Sequence, residues 1–171
     1  GVSKVHLASW QPEEHGRVVA AGGVTGSALI LTRGVVAASL GGDKDKYRGF
    51  GADLSDPDAV DTLMGEITAA FGTIDHVVHT VGGFAMGDPV HAGNLDALDK
   101  MLTLNVRVLY ITVGRFARYM VEHDVQGSLS MILARAGRGG SKNMGAYTAS
   151  KAAATRIMQS MAAELKEHKI R

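Results

Sequence analysis

The chain has 171 residues, 46% hydrophobic and 20% charged, the size and make-up of one globular domain with a sizeable core. Its 18 basic and 17 acidic side chains nearly cancel, which leaves no electrostatic footprint for nucleic acid or an anionic membrane. The absence of cysteine excludes disulfides, thiolate metal sites and a cysteine nucleophile; no apolar run approaches a membrane span, and Gly1 to Lys4 lack the features of a secretory leader, so the cytoplasm is the expected compartment.

In chain order, Arg17 to Ala21 (RVVAA) is a short apolar run entering Gly22, Gly23 and Gly26, the pattern of a buried strand that ends in a glycine-rich loop. Ala28 to Thr32 (ALILT) and, more weakly, Tyr47 to Ala52 (YRGFGA) are further β-capable runs, the last leading into Asp53 and Leu54. From Ser55 the apolar positions fall at Val60, Leu63, Met64, Ile67, Ala70 and Phe71, the three-four spacing of a helix capped by Ser55 or Asp56 and stopped by Gly72. Ile74 to Thr80 (IDHVVHT) predicts a strand running out into Val81, Gly82 and Gly83. A helix from about Leu95 to His123, a strand over Ser128 to Ala134 and a helix from Met144 to about His168 complete the alternation. Strands alternating with helices predict parallel βαβ units, hence an α/β doubly wound sheet, as a single domain over residues 1–171. Ligands bind such sheets beyond the carboxyl ends of the strands, where Gly22 to Gly26, Val81 to Gly83 and the loop after Ala134 are expected.

Two junctions do not fit that plan. Parallel strands need a crossover of about a dozen residues or more, yet Gly26 is followed within two residues by Ala28. The first helix is therefore expected to be missing, as is the front half of a helix that would end at Val35 to Leu40 before Gly41. A rival reading makes Ser27 to Leu40 one helix that tolerates Gly34 and the β-branched Val35 and Val36.

Tyr147 and Lys151 stand four residues apart, so a helix puts phenol and ammonium on one face. An ammonium beside a phenol stabilises the phenolate, the form that takes a proton from an alcohol. The histidines do not suggest a metal site. His76 and His79 are three apart in a strand and face opposite ways, while His6, His15, His91, His123 and His168 are isolated.

With this element order, Tyr147-Thr148-Ala149-Ser150-Lys151 resembles the short-chain dehydrogenase/reductase family, whose Tyr-x-x-x-Lys motif opens the helix after the fifth strand. The resemblance spans residues 17–171 and includes the glycine-rich Ala136 to Ala146 before the tyrosine. It implies a Rossmann-like fold whose last strands would follow Arg171, and an NAD(P)-dependent oxidoreductase interconverting a carbonyl and an alcohol, or reducing a related C=O or C=N group. Tyr147 and Lys151 would be catalytic, and Asn105, in Leu104-Asn105-Val106, would kink its helix and hold a water against the lysine.

The same resemblance assigns the cofactor to Gly22 and Gly26, to Asp53 and Leu54, to Val81, Gly82 and Gly83, and to Tyr147 and Lys151. The third glycine of the family's loop is absent, and His79 and Thr80 replace its asparagine pair. Arg33, with no acidic residue beside it, suits a 2′-phosphate and favours NADP over NAD. The family's catalytic serine lies thirteen positions before the tyrosine, where this chain has Ala134; Ser130 and Ser141 are the candidate substitutes, and dihydropteridine reductases also lack that serine. Phe84, Met86 and Met144, with Ala134, would form an apolar substrate wall. A homodimer or homotetramer is implied, and the stripe Ile157, Met161 and Leu165 is either core or subunit contact. The broken glycine loop and Ala134 keep open a second reading, a catalytically impaired Rossmann protein that binds a nucleotide or a partner subunit.

Overall fold

The structure, a computed structural model, describes residues 50–171 in full and, before them, the backbone of three strands. These are β1 (His6–Leu7), β2 (Val18–Gly23) and β3 (Ser27–Leu31). Then come β4 (Gly51–Ala52), α1 (Pro57–Phe71), β5 (His76–His79), α2 (Leu95–Leu102), a π-helical turn (Thr103–Arg107) and α3 (Val108–Glu122). β6 (Ser128–Met131), a 3-10 turn (Arg135–Arg138) and α4 (Gly145–Glu164) complete the order.

The strands form one sheet in the order β4-β2-β3-β1-β5-β6. β1, β3, β5 and β6 pair in parallel, with β6 in register with β5 from His76↔Ser128 to His79↔Met131. β2 is antiparallel to both β3 and β4, which makes it the one reversed strand among those described. β2 and β3 pair antiparallel, as in a hairpin, where parallel βαβ units are expected. The three residues between them leave no room for a crossover helix, in agreement with the expectation that the first helix is missing. Gly22 pairs with Ala28 and Gly23 with Ser27, so both belong to a ladder. The junctions at Gly26-Ser27 and Arg33-Gly34-Val35, and the run Val35 to Leu40, lie outside the described residues.

α1 starts where Asp56 accepts a hydrogen bond from the Asp58 N–H, with Pro57 behind it, and stops at Gly72, whose φ of 81° is the left-handed conformation a helix end favours. Its stripe Val60, Leu63 and Ile67 packs with Val77 of β5 and with Phe116 and Met120 of α3 in the main core. Arg115 of α3 reaches Asp61 of α1 at 3.1 Å. The other side of α3, Leu109 and Val113, packs on Ala154 of α4 with Ile157 and Met161, and Leu165 belongs to the main core. Of the Ile157-Met161-Leu165 stripe, Leu165 is buried and the other two are half-buried against the core. α3 is held between α1 and α4, and this fixes α4, with Tyr147 near its start, beside the carboxyl ends of β5 and β6.

Candidate active site

The segment that leaves β5 is gripped by Asn105. The helix over α2 and α3 widens into its π turn there, a local device that re-aims one side chain. Asn105 is fully buried and meets Gly83 on both sides: its Oδ1 accepts from the Gly83 N–H at 2.8 Å, and its Nδ2 donates to the Gly83 carbonyl at 3.0 Å. Nδ2 also donates to Ser150 Oγ of α4 at 2.9 Å, and Ser150 Oγ donates to the Tyr147 carbonyl at 2.8 Å. One carboxamide thus ties the β5 exit to the helix that carries Tyr147 and Lys151. The π turn falls at Asn105, the residue at which a kink is expected.

Tyr147 and Lys151 share a face, with Lys151 Nζ 6.0 Å from the centre of the Tyr147 ring. Lys151 is buried, and loss of solvation holds its pKa below the usual lysine range. Phe84 packs edge-on against the Tyr147 ring at 4.9 Å and 76°. The glycines here are required by close approach. A β-carbon at Gly82 would lie 2.7 Å from Asn105 Oδ1 and 2.9 Å from Lys151 Nζ, and one at Gly137 would lie 2.9 Å from the Lys151 carbonyl.

His79 is the last residue of β5, just ahead of Thr80 to Gly83. It is fully buried with neither ring nitrogen hydrogen-bonded, and the neighbouring Thr80 Oγ1 is likewise buried and unpartnered. Burial and, after it, the Lys151 ammonium push the His79 pKa from 6.5 down to about 3, against a weaker opposing effect of the Val81 backbone that falls short of a hydrogen bond. The His79 imidazole is therefore neutral.

The structure brings together Asn105, Tyr147, Lys151, Val81, Gly82, Gly83 and Phe84. Asp53 and Leu54 leave β4 at the far edge of the sheet, and Asp53 Oδ1 accepts from the N–H and the hydroxyl of Ser55. β4 and β3 are both antiparallel to β2, so Asp53 leaves the sheet at the same end as the β5 exit. Gly22 does not join the site. Gly23 pairs with Ser27, which pairs with His76 at the start of β5, so the glycines sit at the opposite end of the sheet. Gly26 and Arg33 lie outside the described residues. Ala134 stands at the start of the 3-10 turn and accepts from the Gly137 N–H, and Met144 precedes α4. Ser130 is exposed in β6 and Ser141 exposed in the following loop. Ser150 is the functional neighbour that sequence reasoning missed. Its signal is its place three residues after Tyr147, one helical turn along. Among the described residues no cluster of potential metal ligands occurs, and no helix is long and apolar enough to cross a membrane.

The sequence model of short chain dehydrogenases matches residues 16–171. The chain belongs to the short-chain dehydrogenase family. It is 30% identical over 122 residues to the sorbitol-6-phosphate 2-dehydrogenase of Escherichia coli strain K12, covering 71% of this chain and 47% of that protein. A solved metagenomic short-chain oxidoreductase in complex with NADP is 30% identical, with a TM-score of 0.64 over 71% of this chain and 55% of that one. An NAD+-bound xylitol dehydrogenase is 26% identical, with a TM-score of 0.67 over 71% of this chain and 46% of that one. This short-chain dehydrogenase spans about half the length of the curated relatives it matches.

Proposed function

We propose that the protein is an NAD(P)-dependent oxidoreductase that interconverts an alcohol and a carbonyl, with Tyr147 and Lys151 as its proton-transfer pair. The observation that carries this reading is the Asn105 clamp, which joins the β5 exit, Ser150 and the Tyr147 turn around one buried ammonium. In the oxidation direction the Tyr147 oxygen takes the proton from the substrate hydroxyl as the C–H bond breaks; in reduction it returns that proton to the carbonyl oxygen. Lys151 lies on the same face of α4, its Nζ 6.0 Å from the centre of the Tyr147 ring. Asn105 holds the β5 exit against both.

The residues present suit a nicotinamide cofactor on two counts. Gly82 brings its backbone, with no side chain of its own, close to Lys151 Nζ, and Thr80 Oγ1 and the His79 nitrogens are buried polar atoms without partners. Lys151, Gly82 and Gly83 would hold the cofactor, which supplies the hydride acceptor or donor when bound. NADP is the preferred form, on the strength of Arg33, and the substrate is a small molecule. Assembly as a homodimer or homotetramer belongs to the same reading, supported by Tyr110 and Leu102, exposed on a groove of about 630 Å³ along α2 and α3.

The test is cofactor turnover against a panel of carbonyls and alcohols, run with NAD and with NADP. Tyr147→Phe is expected to lose at least about a hundredfold in kcat while cofactor binding holds, and Lys151→Ala to weaken both. A Tyr147→Phe protein with full turnover would sink the mechanism, and tighter binding of NAD would remove the NADP preference. The methyl group of Ala134, where the family resemblance implies a serine, favours the second reading, a nucleotide-binding or subunit-interaction protein without turnover; binding with no turnover across the panel would select it.

A further inference from the structure

We infer that the substrate of this site presents an apolar alkyl or aryl group, rather than a chain of hydroxyls, to a wall built from Phe84, Met86 and Val90. The inference rests on the oxidoreductase reading and names the substrate class of that same site. In the segment after β5 these three side chains are 62%, 65% and 82% exposed, an apolar concentration that an aqueous surface does not favour. They are not on a free surface away from the chemistry. Phe84 stands edge-on to the Tyr147 ring at 4.9 Å. Val90 sits over the first residue of α4, where a β-carbon on Gly145 would meet its Cγ2 at 2.6 Å, two residues before Tyr147. Between them the Gly87 N–H donates to the Asn143 carbonyl at 2.9 Å, fastening the segment to the loop that leads into α4.

In the loop that leads into α4, one buried side-chain atom lacks a hydrogen-bond partner. Asn143, held at a φ of 60°, has a buried and unpartnered Oδ1, one acceptor rather than a set. Ala134, at the start of the 3-10 turn, brings a methyl group where the family resemblance implies a serine. A polyol seated here would exchange water for methyl, thioether and ring surfaces and leave several hydroxyls unpaired, whereas an alkyl or aryl group removes the same surfaces from water. A site of mostly apolar lining with one or two polar anchors is the usual construction for an apolar ligand.

The experiment measures binding on the full chain carrying Tyr147→Phe, so that the result does not depend on turnover. With saturating NADP present, 4-phenyl-2-butanone and fructose are titrated by calorimetry, then the titrations are repeated with Phe84→Ser and Met86→Ser added singly. The ketone is expected to bind at least about tenfold more tightly than the sugar, and each serine to weaken ketone binding about tenfold, the worth of an apolar contact of this size, with NADP affinity unchanged. Equal or tighter binding of fructose, or ketone binding indifferent to both serines, overturns the inference. Ketone binding that falls as protein concentration rises also overturns it, because a second copy of the chain then covers the wall. Failure of the oxidoreductase reading has a different signature, ketone binding as expected with no cofactor turnover by the wild-type chain.

Discussion

His79 shows how one side chain can tune a stability curve. Its ring is neutral in the folded protein down to pH about 3, while the unfolded chain binds the proton near 6.5. Between those values the unfolded state holds more protons, so stability falls as pH falls; the loss begins near 6.5 and is complete only near 3. At pH 5 the deficit is about 2 kcal/mol. Urea unfolding at pH 7.5 and pH 5 is therefore expected to show the wild-type protein losing about 2 kcal/mol more than His79→Asn, and equal losses in the two proteins would contradict the burial of a neutral ring. The Tyr147 and Lys151 pair was legible in the sequence because both residues lie within one helical turn, where spacing dictates geometry. His79 was not, because its burial comes from elements far along the chain, and Ser150 was legible only as a residue one turn after Tyr147, its second partner Asn105 lying 45 residues earlier.

At the scale of elements, the π turn carries more consequence than any other segment. It sits inside what the sequence predicts as one helix from Leu95 to His123, since apolar periodicity registers a helix and not a single widened turn. Asn105 uses that turn to hold two backbone groups of Gly83 and the Ser150 hydroxyl. Asn105→Ala strands these groups, and each buried group left without its partner costs about 1–3 kcal/mol. The expected loss is about 3 kcal/mol in urea unfolding. Asn105→Asp keeps the acceptor for the Gly83 N–H and loses both donations, so it should fall no less far; an alanine variant within about 0.5 kcal/mol of wild type would mean that the clamp is not made. Elements with a sharp start and stop were the legible ones. Asp56, Pro57 and Gly72 bound α1 where the sequence puts it, whereas the two-residue β1 is too short to show a pattern.

Over the whole molecule, the sheet gives direction to what the sequence could only locate. β-propensity identifies β2 and β3 as strands but carries no sign, so a glycine cluster after the first of them reads as a loop at the ligand end. The ladder reverses that. Because β2 runs against β3, Gly22 and Gly23 fall level with His76, whereas Gly82 follows the other end of β5 beside Lys151 and Asn105. The two glycines therefore predict opposite results. Gly82→Ala drives a β-carbon to within 3 Å of two side chains, one of them pinned by three hydrogen bonds, and covers the backbone offered to the cofactor. NADPH fluorescence titration is expected to show it weakening binding at least about tenfold, a cost of about 1.4 kcal/mol. Gly22→Ala adds a methyl group to a ladder residue at the remote end and is expected to leave the affinity within about twofold, well under 1 kcal/mol. If Gly22→Ala instead weakens binding as much as Gly82→Ala, the hairpin is not the arrangement that binds cofactor, and the glycine cluster returns to the carboxyl end of a parallel strand.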